Sequence, residues 1–334
     1  MPEDPHPRPA RCHARQSGRL LGRGGVTSRP SSLFDHDLVV VTGKGGTGKT
    51  TVAAALGVAA ARRGLRTIVA EVAARDDITR MLGGEERRRE REVELAYGVH
   101  HTSIDPDTAL RNYLADQLPS RTLAGLLADS RTFGPLAAAT PGLREVLTIG
   151  TVWELAQPQR RSADAQTYDL VILDAPATGH GVALLSAPRA FARSARNGRV
   201  GRHATTIDAF LSDPQRTAVV AVARPEELPV NETLELREAL DRELGLPISI
   251  AIANRTLPDR LSAAEARQLE ELPDPHPAVR AALGLHRRAR AQRSQTARLR
   301  RGLGCAVGSL RERPAETLDA GVLAELATEL ERIL

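Results

Sequence analysis

Apolar residues along this chain fall into short unbroken runs, separated by longer stretches in which they recur every three or four positions. The runs are Leu38 to Val41, "RTIVAEV" from Arg66, "GVHHTSID" from Gly98, Leu170 to Leu173, "TAVVAVA" from Thr217, "PISIAIAN" from Pro247 and "CAVGSL" from Cys305. Their length and β-branched content predict strands covered on both faces. The three- and four-residue spacing predicts helices over Thr51 to Arg63, "VNETLELREALDREL", the stretch around Arg287 to Arg301 and the closing "AGVLAELATELERIL". From Pro106 to about Gln159 the pattern is helical throughout, which leaves room for a helical subdomain at about 106–160. Strands alternating with helices predict an α/β fold, a doubly wound and mostly parallel sheet whose ligands sit at the strand C-terminal ends. No internal repeat appears, so the chain holds one such unit.

The first junction carries the chemistry. "VVVTGKGGTGKTTVAAALG" matches G-x-x-x-x-G-K-[ST] from Gly43 to Thr50, with a predicted strand before it and a helix after it. That context defines a P-loop NTPase. Gly43, Gly45, Gly46 and Gly48 let successive backbone N–H groups turn inward as an anion nest, with Lys44 and Thr47 between them. The helix beginning near Thr51 adds its positive end. Lys49 is then placed to contact the β- and γ-phosphates of ATP and the Thr50 hydroxyl to ligate Mg²⁺. A second element is expected where a buried strand ends in a carboxylate, and Asp174, closing "YDLVILD", has that setting as a Mg²⁺ ligand. The following "APATGHG" reads as a flexible loop beside the γ-phosphate.

Lysine usage sharpens this reading. Of the 46 basic residues only Lys44 and Lys49 are lysine, and both lie in the glycine loop. A compact ammonium enters a ring of amides that a planar guanidinium cannot, so the chemistry requires lysine there. The net charge of +5 raises the possibility of nucleic-acid binding. Much of the excess sits in an Arg/Pro/Gly-rich start, read as a disordered tail over 1–35, and in seven arginines without an acid from Arg287 to Arg301. A charge run is more often a solvated helix face than a binding patch, so DNA binding is not favoured. No apolar run approaches the roughly 18 residues that span a bilayer, and the start lacks a secretory signal, which points to the cytoplasm. Cys12 and Cys305 are too far apart in sequence for a zinc motif, and Cys305 reads as a small buried residue.

"GKGGTGKTT" has a lysine directly after its first glycine, and so resembles the deviant Walker A loop of the dimeric ATPases of the arsenite-pump, tail-anchored-protein-targeting, MinD and ParA groups. Within that class "DAPATGH", "TPGLREVL" from Thr140 and "RPEELPVNET" from Arg224 resemble the ArsA-like, arsenite-pump type, a likeness covering roughly residues 37 to 334. The resemblance implies that Lys44 reaches across a dimer interface to the partner's nucleotide and that Asn254 hydrogen-bonds the adenine. It also implies a Mg²⁺-dependent ATPase whose hydrolysis switches its hold on a protein cargo or partner. The pump version fuses two halves, so a single unit needs a second subunit, either a copy of itself (homodimer) or a sibling chain (heterodimer).

Departures from the family narrow the reading. Its first switch begins S-T-D-P after a strand, with the aspartate aligning water; here "TIVAEVAARDD" puts Ala73 at the matching position. Glu71, Asp76 and Asp77 are the carboxylates at hand, and Glu71 is the favoured catalytic substitute. The chain lacks the C-x-x-C and methionine-rich groove of the tail-anchored-protein branch. Two distant cysteines give no soft site for arsenite, so the cargo stays unidentified. Two further readings are a nucleotide-binding switch or adaptor with little hydrolysis, and a ParA- or MinD-like positioning ATPase.

Overall fold

The computed structural model describes residues 32–72, 76–84, 91–109, 142–160, 165–194, 199–313 and 317–334. Its frame is an eight-stranded sheet in the order β3-β4-β2-β5-β1-β6-β7-β8. The strands are β1 (Leu38–Thr42), β2 (Thr67–Val72), β3 (Val93–Glu94), β4 (His100–Ile104), β5 (Leu170–Asp174), β6 (Thr217–Ala223), β7 (Ile250–Thr256) and β8 (Ala306–Arg311). Every pairing is parallel except β3 with β4. The fold is the predicted α/β one, with all seven expected strands present. The two-residue β3 is additional, too short for a periodic signal.

Besides a helical stretch at 106–109, nine helices lie among the described residues: α1 (Lys49–Arg62), α2 (Asp77–Met81), α3 (Leu143–Leu155), α4 (Thr178–Ser194), α5 (Arg199–Leu211), α6 (Glu227–Leu244), α7 (Ala263–Glu270), which packs on α8 (Pro277–Leu303), and α9 (Ala320–Ile333). Successive strand residues point to opposite faces, so β1 serves two cores. Leu38 and Val40 join Val171, Leu173 and residues of α3 to α6 on one face. Val39 and Val41 join Ile172, α1, α2 and α9 on the other. The alanine-rich α1, with Val52 through Ala60 all buried, lies close against the sheet because its side chains are small.

Several expectations shift. The tail expected over 1–35 lies outside the described residues up to 31, but Leu33–Asp35 form a 3₁₀ turn capped by Ser32, and Leu33 and Phe34 are buried. Residues 32–35, within that expected span, are thus structured. Of the helical stretch at about 106–160, residues 110–141 lie outside the described residues, while α3 occupies the helix expected over "GLREVLTIGTVWELA". "APATGHG" is mostly not a loop: α4 starts at Thr178, and Gly181 N–H donates to the Ala177 carbonyl. A Cβ on Gly181 would stand 2.9 Å from the Pro176 carbonyl oxygen, so glycine is needed for this tight turn into the helix. Cys305 is half-buried against the core rather than fully enclosed, and burial raises its thiol pKa.

The two-sided core sets a stability contrast. Ile172, on the central β5 and fully enclosed, is predicted to cost about 2–5 kcal/mol on Ile172→Ala. Leu272→Ala, at an exposed position, is expected to change stability by less than about 0.5 kcal/mol. Urea unfolding of the two variants checks both values.

Candidate functional site

β1 lies between β5 and β6, and Val41 is in register with Asp174, so the loop after β1 and the end of β5 open at the same edge. Gly43 leaves the strand at φ +147, and a Cβ there would stand 2.2 Å from the Val222 carbonyl oxygen on β6. Gly46 and Gly48 also have positive φ, and Gly48 in the left-handed region forms the N-cap of α1. No side chain caps that helix end. Its first-turn N–H groups are therefore available to an anion at the positive end of the dipole.

The loop is braced from within. The Lys44 carbonyl accepts from Thr47 Oγ1 at 2.9 Å and from Lys49 Nζ at 3.1 Å. Asn254, at the buried end of β7, donates from Nδ2 to the Thr47 carbonyl at 2.8 Å, and its Oδ1 accepts from Arg255 N–H. A Cβ on Gly48 would meet that same Nδ2 at 2.3 Å. Thr51 follows on the partly buried first turn of α1. Lys44 Nζ lies 2.5 Å from Glu232 Oε1 on α6, within its own chain. Glu232 carried no role in the sequence reading, although "RPEELPVNET" was the stretch that contained it.

Carboxylates gather beside the loop. Thr50 Oγ1 donates to Asp174 Oδ2 at 2.6 Å. Glu71 on β2 is in register with Asp174 and only 2% exposed. Asp174 Oδ1, both Glu71 oxygens and Thr42 Oγ1 are buried without a hydrogen-bond partner among the described residues. Orphaned acceptors of this kind, all oxygen, suit a hard cation and its waters, so the residues present fit Mg²⁺. Burial pushes the Asp174 carboxyl up to about 6; the Thr50 hydrogen bond and Lys49 oppose that shift, and the neighbouring Glu71 adds to it.

Asp77 lies near enough to Asp174 to add to the upward shift of its pKa. Asp77 begins α2 and pairs with Arg80, Asp76 precedes it, and Ala73 lies outside the described residues. His180 is exposed on α4. All seven arginines of the run lie exposed on α8. Arg293 pairs with Asp259, Arg287 reaches Glu270 at 3.5 Å, and Arg300 donates to the Val307 carbonyl, so part of the run is tied to its own surface. Among the described residues no helix is long and apolar enough to cross a membrane.

A strand, a glycine loop and an uncapped helix on a parallel sheet, with a threonine bonded to the neighbouring strand's aspartate, define the P-loop class. The family can be given as well: residues 36–198 and 199–272 match the ArsA ATPase family, described as Anion-transporting ATPase, and the chain belongs to it. It is 33% identical over 255 residues to a protein named ATPase BagA from Mycobacterium tuberculosis, covering 74% of this chain and 73% of that one. It is 27% identical over 239 residues to an Arsenical pump-driving ATPase from Acidiphilium multivorum, covering 65% of this chain and 39% of the relative. A protein of the same description from Escherichia coli is 29% identical over 224 residues, covering 62% and 33%. The matched part thus spans only a third to two fifths of the pump-driving relatives.

The raised Asp174 pKa has a measurable consequence. The folded chain keeps this proton up to about pH 6, whereas an unfolded aspartate releases it near 3.8. Stability is therefore lost as pH rises between those values, by on the order of 3 kcal/mol. Asp174→Asn removes the effect: without Mg²⁺ it is expected to raise the melting temperature over wild type at pH 8 by more than at pH 4. An equal difference at both pH values contradicts the assignment.

Proposed function

We propose that the chain is a Mg²⁺-dependent ATP hydrolase of the deviant Walker A type, working as a dimer in the cytoplasm. Turnover would switch its hold on a protein partner. The observation that carries the reading is the Thr50–Asp174 hydrogen bond at the mouth of the braced glycine loop. Backbone N–H groups from Gly45 to Thr51 cradle the phosphates, and Lys49 neutralises the β- and γ-phosphates. Asn254 has a second amide hydrogen to offer the adenine. Thr50 and Asp174 hold Mg²⁺, which when bound draws charge off the phosphate oxygens. Glu71 accepts a hydrogen bond from the attacking water and aligns it, in place of the absent first-switch aspartate.

Lys44 completes the site from a second subunit, a further copy or a sibling chain. Reaching a neighbour's phosphate requires Lys44 to leave Glu232, so this ion pair sets a modest barrier to pairing. A nucleotide-dependent switch with negligible hydrolysis is the second reading, favoured by the alanine at position 73.

Steady-state hydrolysis with ATP binding measured in parallel tests the roles. Lys44→Ala is expected to bind ATP normally and lose turnover by about 10³-fold, as removal of a transferred-phosphoryl cation does. Lys49→Ala is expected to lose ATP affinity itself. Glu232→Gln is expected to lower the concentration needed for pairing by about 2- to 5-fold, the worth of a partly buried ion pair. Tight ATP binding by wild type without turnover, alone and with its sibling, supports the switch reading instead.

A further inference from the structure

A row of buried polar groups runs under the site, from the phosphate loop to α2. Thr50 bonds Asp174, and Asp174 is in register with Glu71. Glu71 Oε2 stands 3.4 Å from His101 Nε2, and His101 Nδ1 stands 3.0 Å from Thr79 Oγ1 on α2. Register explains the reach. His101 on β4 is opposite Val69 on β2, and Glu71 lies two residues further along the same face, a diagonal that long side chains span. That face is the one covered by α1 and α2.

The position is costly for both residues. The Glu71 and His101 side chains are 2% and 3% exposed, and neither the Glu71 oxygens nor His101 Nε2 makes a hydrogen bond within normal geometry among the described residues. Two apolar residues of similar volume would fill this sheet face at lower cost, since buried charge is desolvated without full return. The Thr79 contact fits either tautomer; with the hydroxyl donating to Nδ1, the proton is on Nε2, toward the carboxylate.

We propose that His101 is a positioning residue: it donates from Nε2 to Glu71 and holds that carboxylate toward the attacking water, with Thr79 setting its tautomer. The inference rests on the role given to Glu71 above. It also ties the site to α2, which follows the segment 73–75 at the family's first switch.

The test uses the full chain with its partner subunit. His101→Leu is expected to lower kcat by about 10- to 100-fold, as loss of an outer carboxylate–histidine contact does, with KM and ATP affinity within about twofold of wild type. His101→Gln, which keeps a donor at the Nε2 position, is expected to regain most of that loss. Glu71→Gln should lose as much as His101→Leu, and the double variant no more than either. Imidazole ¹H–¹⁵N spectra give a readout independent of turnover: the resonance missing in His101→Gln should carry the Nε2–H signature and shift in Glu71→Gln and Thr79→Val. An unshifted resonance in Glu71→Gln, full activity in His101→Leu, or no rescue by glutamine overturns the inference. Wild-type turnover in Glu71→Gln would instead overturn the assignment of Glu71, leaving the rest of the proposed site standing. Should His101→Leu not fold, Thr79→Val and His101→Gln carry the same comparison.

Discussion

The hydrogen bond from Thr50 to Asp174 joins residues 124 positions apart in sequence, and the geometry of the site follows from it. It exists because β1 and β5 are parallel neighbours with Val41 beside Asp174, so that the start of α1 and the end of β5 arrive at one edge. Few other placements would bring a first-turn hydroxyl and a strand-end carboxylate to 2.6 Å. The sheet order is thus the primary constraint, and the two cores on its faces hold it in place.

Around that contact the protein carries polar groups that a sheet interior ordinarily excludes. Asp174, Glu71 and His101 lie side by side on β5, β2 and β4 under α1 and α2. Their desolvation is a standing cost, visible in the raised Asp174 pKa. A cation and a polyphosphate would offset it, which is why the site fits such ligands and why Asp174 weakens the fold when ionised alone. The Lys44–Glu232 pair is the counterpart on the cationic side: it gives the Lys44 ammonium a partner within its own chain.

How far the sequence reveals this depends on the kind of signal. The strands of the parallel sheet were legible because covered strands read as unbroken apolar runs. The glycine loop was legible because its positive-φ positions admit little but glycine, as Gly43 against Val222 illustrates. Asp174 followed from its place after such a run. Helices α4, α5 and α7 escaped notice: α4 holds Pro188 within it and starts among glycines, features that read locally as loop. Glu232 and His101 were illegible as partners of Lys44 and Glu71, since each pairing joins elements distant in sequence through a contact only the fold creates. Asn254 was placed near the nucleotide by resemblance, and its visible work in the structure is bracing Thr47.

In the proposed function each ATP site is completed by the lysine of another subunit. Complementation tests it most directly: mix chains carrying Lys44→Ala, whose own pocket is whole, with chains carrying Lys49→Ala, whose Lys44 is whole, and measure hydrolysis. Each variant alone should be inactive, and an equal mixture of self-pairing chains should recover about a quarter of wild-type activity, since half the pairs are mixed and each has one complete site. A mixture that pairs with ATP yet remains inactive would contradict a lysine acting between copies of this chain.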